Sequence, residues 1–280
     1  MSSYIKKALD ITRKNVIIIQ PLVLFLIVIT FTTSALFQLA HKFTYIVFLT
    51  TNILLFTAFM AGWLYMIKKT IEHYQKAENG EYKNDKEEAE ASLALGKEFF
   101  PGVGDFFPAV TFTVVCYVAV YILLLFVCYK SGTYFLPPTD INWQEFIAAS
   151  NSTPAEMQKY VASLSFQQIK AINLWMFYMG GIASLFTFLT MYLFPAVFDK
   201  KEQYFLVPFS AFNRNIVFLC KNFFGSLGLI VFLFFLQLVF SILSVIFSMN
   251  IIMSIIGLII SFYFATYAVV LIFLFYETRK

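Results

Sequence analysis

Six apolar runs, each long enough to cross a bilayer, constrain this chain more than anything else in it. They cover residues 16–38, 45–67, 107–127, 174–198, 223–247 and 251–276, and none carries Lys, Arg, Asp or Glu before its last turn. A hydrocarbon core about 30 Å thick takes roughly 20 apolar residues as a helix. One charged side chain at mid-helix would cost about 2.5–3.5 kcal/mol on insertion scales. A barrel is excluded, because its strands need only about ten residues of alternating polarity. Composition agrees: 60% of the 280 residues are apolar and 13% charged, against about 45–50% and about 25% in soluble domains. Disorder, which needs the opposite balance, is excluded as well. The net charge of +4 is too small to point to a nucleic-acid partner. The expected fold is an all-α polytopic membrane helix bundle, with residues 1–280 as one integral membrane domain. The first run exceeds the roughly 7–15 apolar residues of a cleaved signal, so it reads as an uncleaved anchor.

The cations set the sidedness. With the N-terminus in the cytoplasm, the segments on that side hold 16 of the 20 Lys and Arg residues, including six in the 68–106 loop. The other side keeps only Lys42, Lys130, Lys159 and Lys170. This bias places both termini in the cytoplasm and the 128–173 loop outside, in a plasma (inner) membrane.

A threefold repeat of short interfacial elbow helix plus transmembrane hairpin is expected. In the first elbow Ile5, Ala8, Leu9 and Thr12 share one face, while Lys6, Lys7, Asp10, Arg13 and Lys14 share the other. That is the spacing of an amphipathic helix lying in the membrane plane, its cations over anionic headgroups. Phe212, Ile216 and Leu219 repeat the pattern, with Arg214 and Lys221 as the cations. Aligning Lys14-Asn15 with Lys221-Asn222 pairs Ile5 with Phe212 and Leu9 with Ile216. The middle unit is looser, a charged helical stretch over 85–97 followed by a Phe-, Pro- and Gly-rich run. Between the third and fourth spans, Thr153-Pro154-Ala155-Glu156 and Ser165-Phe166-Gln167-Gln168 match capping boxes. With Trp143, Phe146 and Ile147 forming an apolar stripe, two short helices are expected in this loop.

The run Leu193-Phe194-Pro195-Ala196-Val197-Phe198 and the elbow from Ala211 to Asn222 carry a resemblance. They resemble a broad set of bacterial six-span inner-membrane proteins of unsettled role. The set includes the YciC-like proteins and the membrane domain attached to some glycerophosphodiester phosphodiesterases. Those proteins show a Pro closing the fourth span and an elbow ending in a basic-Asn pair, matched here by Lys221-Asn222. Asn215 stands where they usually have Ser. The resemblance implies a six-span inner-membrane bundle with a role in membrane or envelope maintenance. It brings no catalytic residues, and the soluble phosphodiesterase domain has no counterpart in this sequence.

Candidates for chemistry are few. The two histidines, His41 and His73, fall at opposite ends of the first hairpin and cannot share a site across the hydrocarbon. Ser184, in Gly181-Ile182-Ala183-Ser184, has no base to activate it. Cys116, Cys128 and Cys220 lack metal-ligand or disulfide spacing. Asp105, the one acid inside an aromatic-rich apolar run, reads either as an ion or proton site or as the N-cap of the third span. Asn52, Asn173 and Gln237 read as interhelical hydrogen-bond partners. The small-residue stripes Ala58/Gly62 and Gly257/Ser261/Ala265 read as helix packing, with a homo-oligomer seam as the second reading. No metal or cofactor is expected. The expected partners are the bilayer and anionic headgroups at Lys6, Lys7, Arg13, Lys14, Arg214 and Lys221. Two functions follow. The first is a non-enzymatic membrane protein of structural or regulatory role. The second is a transporter or lipid-handling permease with its site between repeats, for which Gly180-Gly181, Pro195 and Gly102/Gly104 are candidate helix breaks.

Overall fold

A computed structural model describes residues 2–36, 42–82, 84–199, 203–247 and 250–280. The sequence candidates His41, Lys83, Lys200 and Lys201 lie outside the described residues. All regular structure among the described residues is helical, as it must be where no water is present to satisfy backbone groups. The chain runs through α1 (Ser2–Lys14), α2 (Gln20–Leu36), α3 (Lys42–Glu78), α4 (Asp85–Ala94), α5 (Phe99–Phe135) and α6 (Trp143–Ser150). It continues through α7 (Pro154–Ser163), α8 (Phe166–Thr190), α9 (Leu193–Val197), α10 (Val207–Lys221), α11 (Phe223–Phe247) and α12 (Ile251–Glu277). Single 3-10 turns at Val16–Ile19 and Leu95–Glu98 join α1 to α2 and α4 to α5.

Five of these helical stretches are long and apolar enough to cross a membrane. A sixth arises at Val16–Thr32, which meets α1 at 85°. That bend is the expected elbow: the charges of α1 keep it out of hydrocarbon, and the apolar segment after Asn15 turns away from it. The spans α11 and α12 begin at residues 223 and 251, where the hydropathy pattern puts them. α5 instead starts at Phe99, not 107, and α8 at Phe166, not 174. Both helices extend beyond the apolar window.

Two compact units are present, residues 117–188 forming one and the remainder the other. In the larger unit the core gathers at one end of α3 and α12. Ala61, Leu64, Met66, Ile67 and Ile71 of α3 are buried there, with Val270, Leu271 and Phe273 to Tyr276 of α12. At their other ends the same helices expose Ile46, Ile53, Ile252 and Ile259, and only 6% of the apolar window of α11 is buried. So much bare apolar surface suits a lipid surround and no aqueous one.

Glycine sets the closest helix approach. A Cβ at Gly102 of α5 would stand 2.7 Å from Tyr65 Cβ and 3.0 Å from Gly62 Cα. At Gly257 a Cβ would meet Phe247 of α11 at 2.7 Å. Gly62 and Gly257, from the two small-residue stripes, therefore serve packing within the chain. Asn52 also behaves as expected, accepting from Thr32 Oγ1 across the α2–α3 hairpin at 2.7 Å. Asn173 and Gln237 lie on exposed faces.

In the smaller unit, α6 and α7 are the two short helices. Asn142 caps α6, its side chain accepting from the N–H groups of Gln144 and Glu145. Thr153 accepts from Glu156 N–H at the start of α7, with Pro154 in the first turn. The second capping box forms in full, but it opens the long helix α8. Ser165 N–H donates to Gln168 Oε1 at 2.9 Å, and Gln168 N–H donates back to Ser165 Oγ at 3.2 Å. Phe146 meets Tyr160 edge-on at 5.9 Å, closing α6 onto α7.

Candidate functional site

The elbows gather at the packed end of the larger unit, and two of them are built alike. α1 ends at Lys14 and α10 at Lys221; the next residue in each case is Asn. Asn15 donates to Ile11 O from its backbone N–H at 3.1 Å and from Nδ2 at 3.0 Å. Asn222 repeats both bonds onto Phe218 O, at 2.9 and 3.2 Å. One side chain thus helps satisfy a carbonyl that the ending helix leaves over. Ile11 and Phe218 are themselves equivalent in the Lys-Asn alignment. The second elbow has the helix, 3-10 turn and span order of the first, without the Asn.

The apolar face of α1 is not laid against lipid, as its spacing alone suggests. Ala8, Ile11 and Thr12 are fully buried, and α1 packs on α12, with Tyr4 edge-on to Phe275 at 5.4 Å. Thr12 is tolerated there because its hydroxyl donates to Ala8 O at 2.9 Å. Leu9, expected on that face, is 49% exposed. Among the cations, Lys6 is exposed. Lys7 pairs with Glu78 at 2.8 Å. Arg13 and Lys14 both reach Asp10, at 3.4 and 3.3 Å.

On α10 the expected set Phe212, Ile216 and Leu219 splits. Leu219 is buried, whereas Phe212 and Phe209 are exposed. The inward face is Val207, Ala211, Asn215, Phe218 and Leu219. Asn215 is the centre of this face. Its Oδ1 accepts from Tyr192 N–H at 2.9 Å, and its Nδ2 donates to Leu189 O at 2.6 Å. These bonds bridge the break between α8 and α9, where the helix loses its own ladder at Met191 and Tyr192. Tyr192 in turn donates to Ser226 Oγ at 3.0 Å, and Ser226 Oγ donates to Asn222 O at 2.9 Å. Arg214 was expected at headgroups and is instead turned inward, half-buried and donating to Ala196 O at 3.0 Å. The last carbonyls of the short helix α9 attract a cation there. Lys221 is exposed. Of the candidate helix breaks, Pro195 adjoins a real one, whereas Gly180 and Gly181 lie inside unbroken α8.

Charged groups tie the end of α12 to its neighbours. Lys280 Nζ lies 2.7 Å from Asp199 Oδ1 and 2.6 Å from Glu277 Oε2. Lys68 Nζ donates to Phe198 O at 2.6 Å and approaches Glu277 Oε1 to 4.0 Å. Tyr276 donates to Asp199 Oδ2 at 2.5 Å. Burial alone would lower the Lys280 pKa; the hydrogen bonds to Asp199 and Glu277 outweigh it, and the net shift is upward from 10.5. A pKa raised on folding stabilises fully below its unfolded value and is lost as pH rises through the folded one. The melting temperature in detergent should therefore fall as pH rises above about 10.5. Lys280→Met should melt lower at pH 8 and lose that part of the alkaline dependence.

Beside the first elbow lies a cleft of about 550 Å³ lined by Lys14, Asn15, His73, Tyr74, Glu88 and Ser92, with Ala89 and Leu93 at its edge. Ser92 Oγ donates to Asn15 Oδ1 at 2.8 Å, fixing α4 to the elbow. Tyr74 donates to Asp10 at 3.2 Å, and Lys14 sits 5.8 Å over its ring. His73 lies beyond the apolar part of α3 and exchanges a hydrogen bond with Tyr82 OH at 2.5 Å. Burial holds its pKa below the usual imidazole value. A second, smaller notch of about 200 Å³ lies between α11 and α12, lined by Phe240, Ser244, Phe247, Ser254, Gly257 and Ser261.

Asp105 is exposed inside α5, six residues past its first residue, so it does not open the third span. The helix starts earlier because Pro101 falls in its first turn, where a missing N–H is harmless, and Gly102 seats it on Gly62. Pro108 is then interior, with Gly104 at the position its ring crowds. Ser184 is exposed, and Cys116, Cys128 and Cys220 are unpaired. Among the described residues no cluster of three or more His, Cys, Asp or Glu could hold a metal ion. Compared with family models, curated proteins and solved structures, the chain matches none.

Proposed function

We propose that this chain is a non-enzymatic multi-pass membrane protein with a structural or regulatory role in a bacterial inner membrane. Both termini and the elbows then face the cytoplasm. The observation that carries this reading is the contrast within the larger unit. One end is locked by buried side chains and a charged clamp, while the remaining helix surface offers apolar residues to lipid. A rigid layer anchored among bare apolar helices suits holding or sensing the bilayer more than turning over a substrate. The resemblance to YciC-like proteins fits the same role. A lipid-handling permease is the second reading, favoured by the serine-lined notch between α11 and α12. Reconstitution separates them. Proteoliposomes containing fluorescent phospholipid should show the protein-free rate of lipid exchange between leaflets. A protein-dependent acceleration would establish the permease and overturn the structural role. Asp105→Asn should leave either readout unchanged.

A further inference from the structure

We propose that the cleft beside the first elbow binds the headgroup of a zwitterionic phospholipid ending in a primary ammonium, that is, a phosphoethanolamine lipid. Its volume, about 550 Å³, falls within the range of small-molecule sites, about 300–1,000 Å³. Both charges of the headgroup find a counterpart. Lys14 supplies the cation for the phosphate diester, and its exposed pairing with Asp10 is the kind of surface contact that holds weakly. Glu88 also lines the cleft, half-buried and without a salt bridge among the described residues. A carboxylate so placed favours an ammonium. Ser92 Oγ, which also lines the cleft, adds an acceptor that a primary ammonium can meet with an N–H and a quaternary one cannot. A purely anionic headgroup would meet Glu88 with like charge, so the cleft selects the zwitterion even though the elbow as a whole is cationic.

The lipid origin follows from position. Asn15 immediately precedes the first membrane segment, and the edge of the cleft carries Leu93, 72% exposed, with Val16, 57% exposed, on the adjoining turn. These apolar groups are placed to meet the acyl-chain side of the ligand. The inference rests on the reading that this end of the bundle lies at the membrane surface.

Native mass spectrometry of the full chain released from detergent tests it. The lipids compared are phosphatidylethanolamine, phosphatidylcholine and phosphatidylglycerol, with soluble glycerophosphoethanolamine as a fourth probe. Retention of phosphatidylethanolamine should exceed that of each other probe about tenfold. Glu88→Gln should remove that preference, lowering phosphatidylethanolamine retention and raising that of phosphatidylglycerol, and Lys14→Met should weaken all three lipids. Both side chains reach solvent, so folding is expected to survive. Ala89→Trp, which fills the cleft from an exposed position, should abolish retention independently. Equal retention of the three lipids, a preference for phosphatidylglycerol, or equally tight binding of the soluble probe would each overturn the proposal. None of these outcomes touches the leaflet-exchange result on which the structural role is tested.

Discussion

Replacing Asn215 with Leu is expected to destabilise the protein by about 1–3 kcal/mol, the cost of leaving a buried N–H without its partner, with a smaller addition from the part-buried Leu189 carbonyl. Asn215 is fully buried and serves both sides of the α8–α9 break, accepting from Tyr192 N–H and donating to Leu189 O. Leucine fills a similar volume, so the loss is polar and not a cavity effect. Asn215→Ser should lie between the two, since a hydroxyl is too short to reach both groups. Asn213→Leu, on the exposed face of the same helix, is the control and should change little. Thermal unfolding of the four proteins in one detergent gives the ranking.

Gly102→Val should be comparably severe by a different mechanism. The added Cβ would fall 3.0 Å from the Cα of Gly62 and 2.7 Å from Tyr65 Cβ, so α3 and α5 must separate. Overpacking costs about 1–3 kcal/mol in a forgiving core and more where backbone is the obstacle. Gly104→Ala, two residues on, meets nothing within 4 Å. It should be neutral or gain up to about 1 kcal/mol from helix propensity. A difference in folded yield between these neighbouring substitutions would isolate the close approach from any general intolerance of α5.

What the sequence discloses here follows from which forces act on windows of residues and which act across space. The six spans are visible because hydrophobic transfer is read residue by residue, and the starts of α11 and α12 coincide with abrupt changes in polarity. The starts of α5 and α8 do not, because helices continue past the hydrocarbon once packing supports them; α3 and α5 each reach 37 residues. Asp105 illustrates the error: an acid in an apolar run looks like a boundary, although the helix passes through it. A stronger signal lies about two turns earlier. Lys97-Glu98-Phe99-Phe100 parallels Lys221-Asn222-Phe223-Phe224, and α5 and α11 each begin at the first of these Phe pairs.

The elbows show the same division. Amphipathic spacing locates α1 and α10 and their terminal Asn residues. It cannot tell which neighbour covers the apolar face, so Ala8 and Leu219, which the spacing alone turns toward lipid, are covered by protein instead. Asp199, Tyr276, Glu277 and Lys280 carry no local pattern at all. They meet only because the end of α12 returns to the α9 region, 77 to 81 residues distant in sequence. The cleft is likewise a product of tertiary contact: Lys14, His73 and Glu88 come from three helices.

Sidedness decides which end of the helices meets the cytoplasm, and it can be measured directly. With Cys116, Cys128 and Cys220 replaced by Ala, single cysteines at Glu90 on α4 and Glu156 on α7 can be probed in intact cells with a membrane-impermeant maleimide. The expected result is modification of Glu156→Cys at once and of Glu90→Cys only after permeabilisation. Labelling of Glu90→Cys in intact cells, with Glu156→Cys protected, would contradict the arrangement.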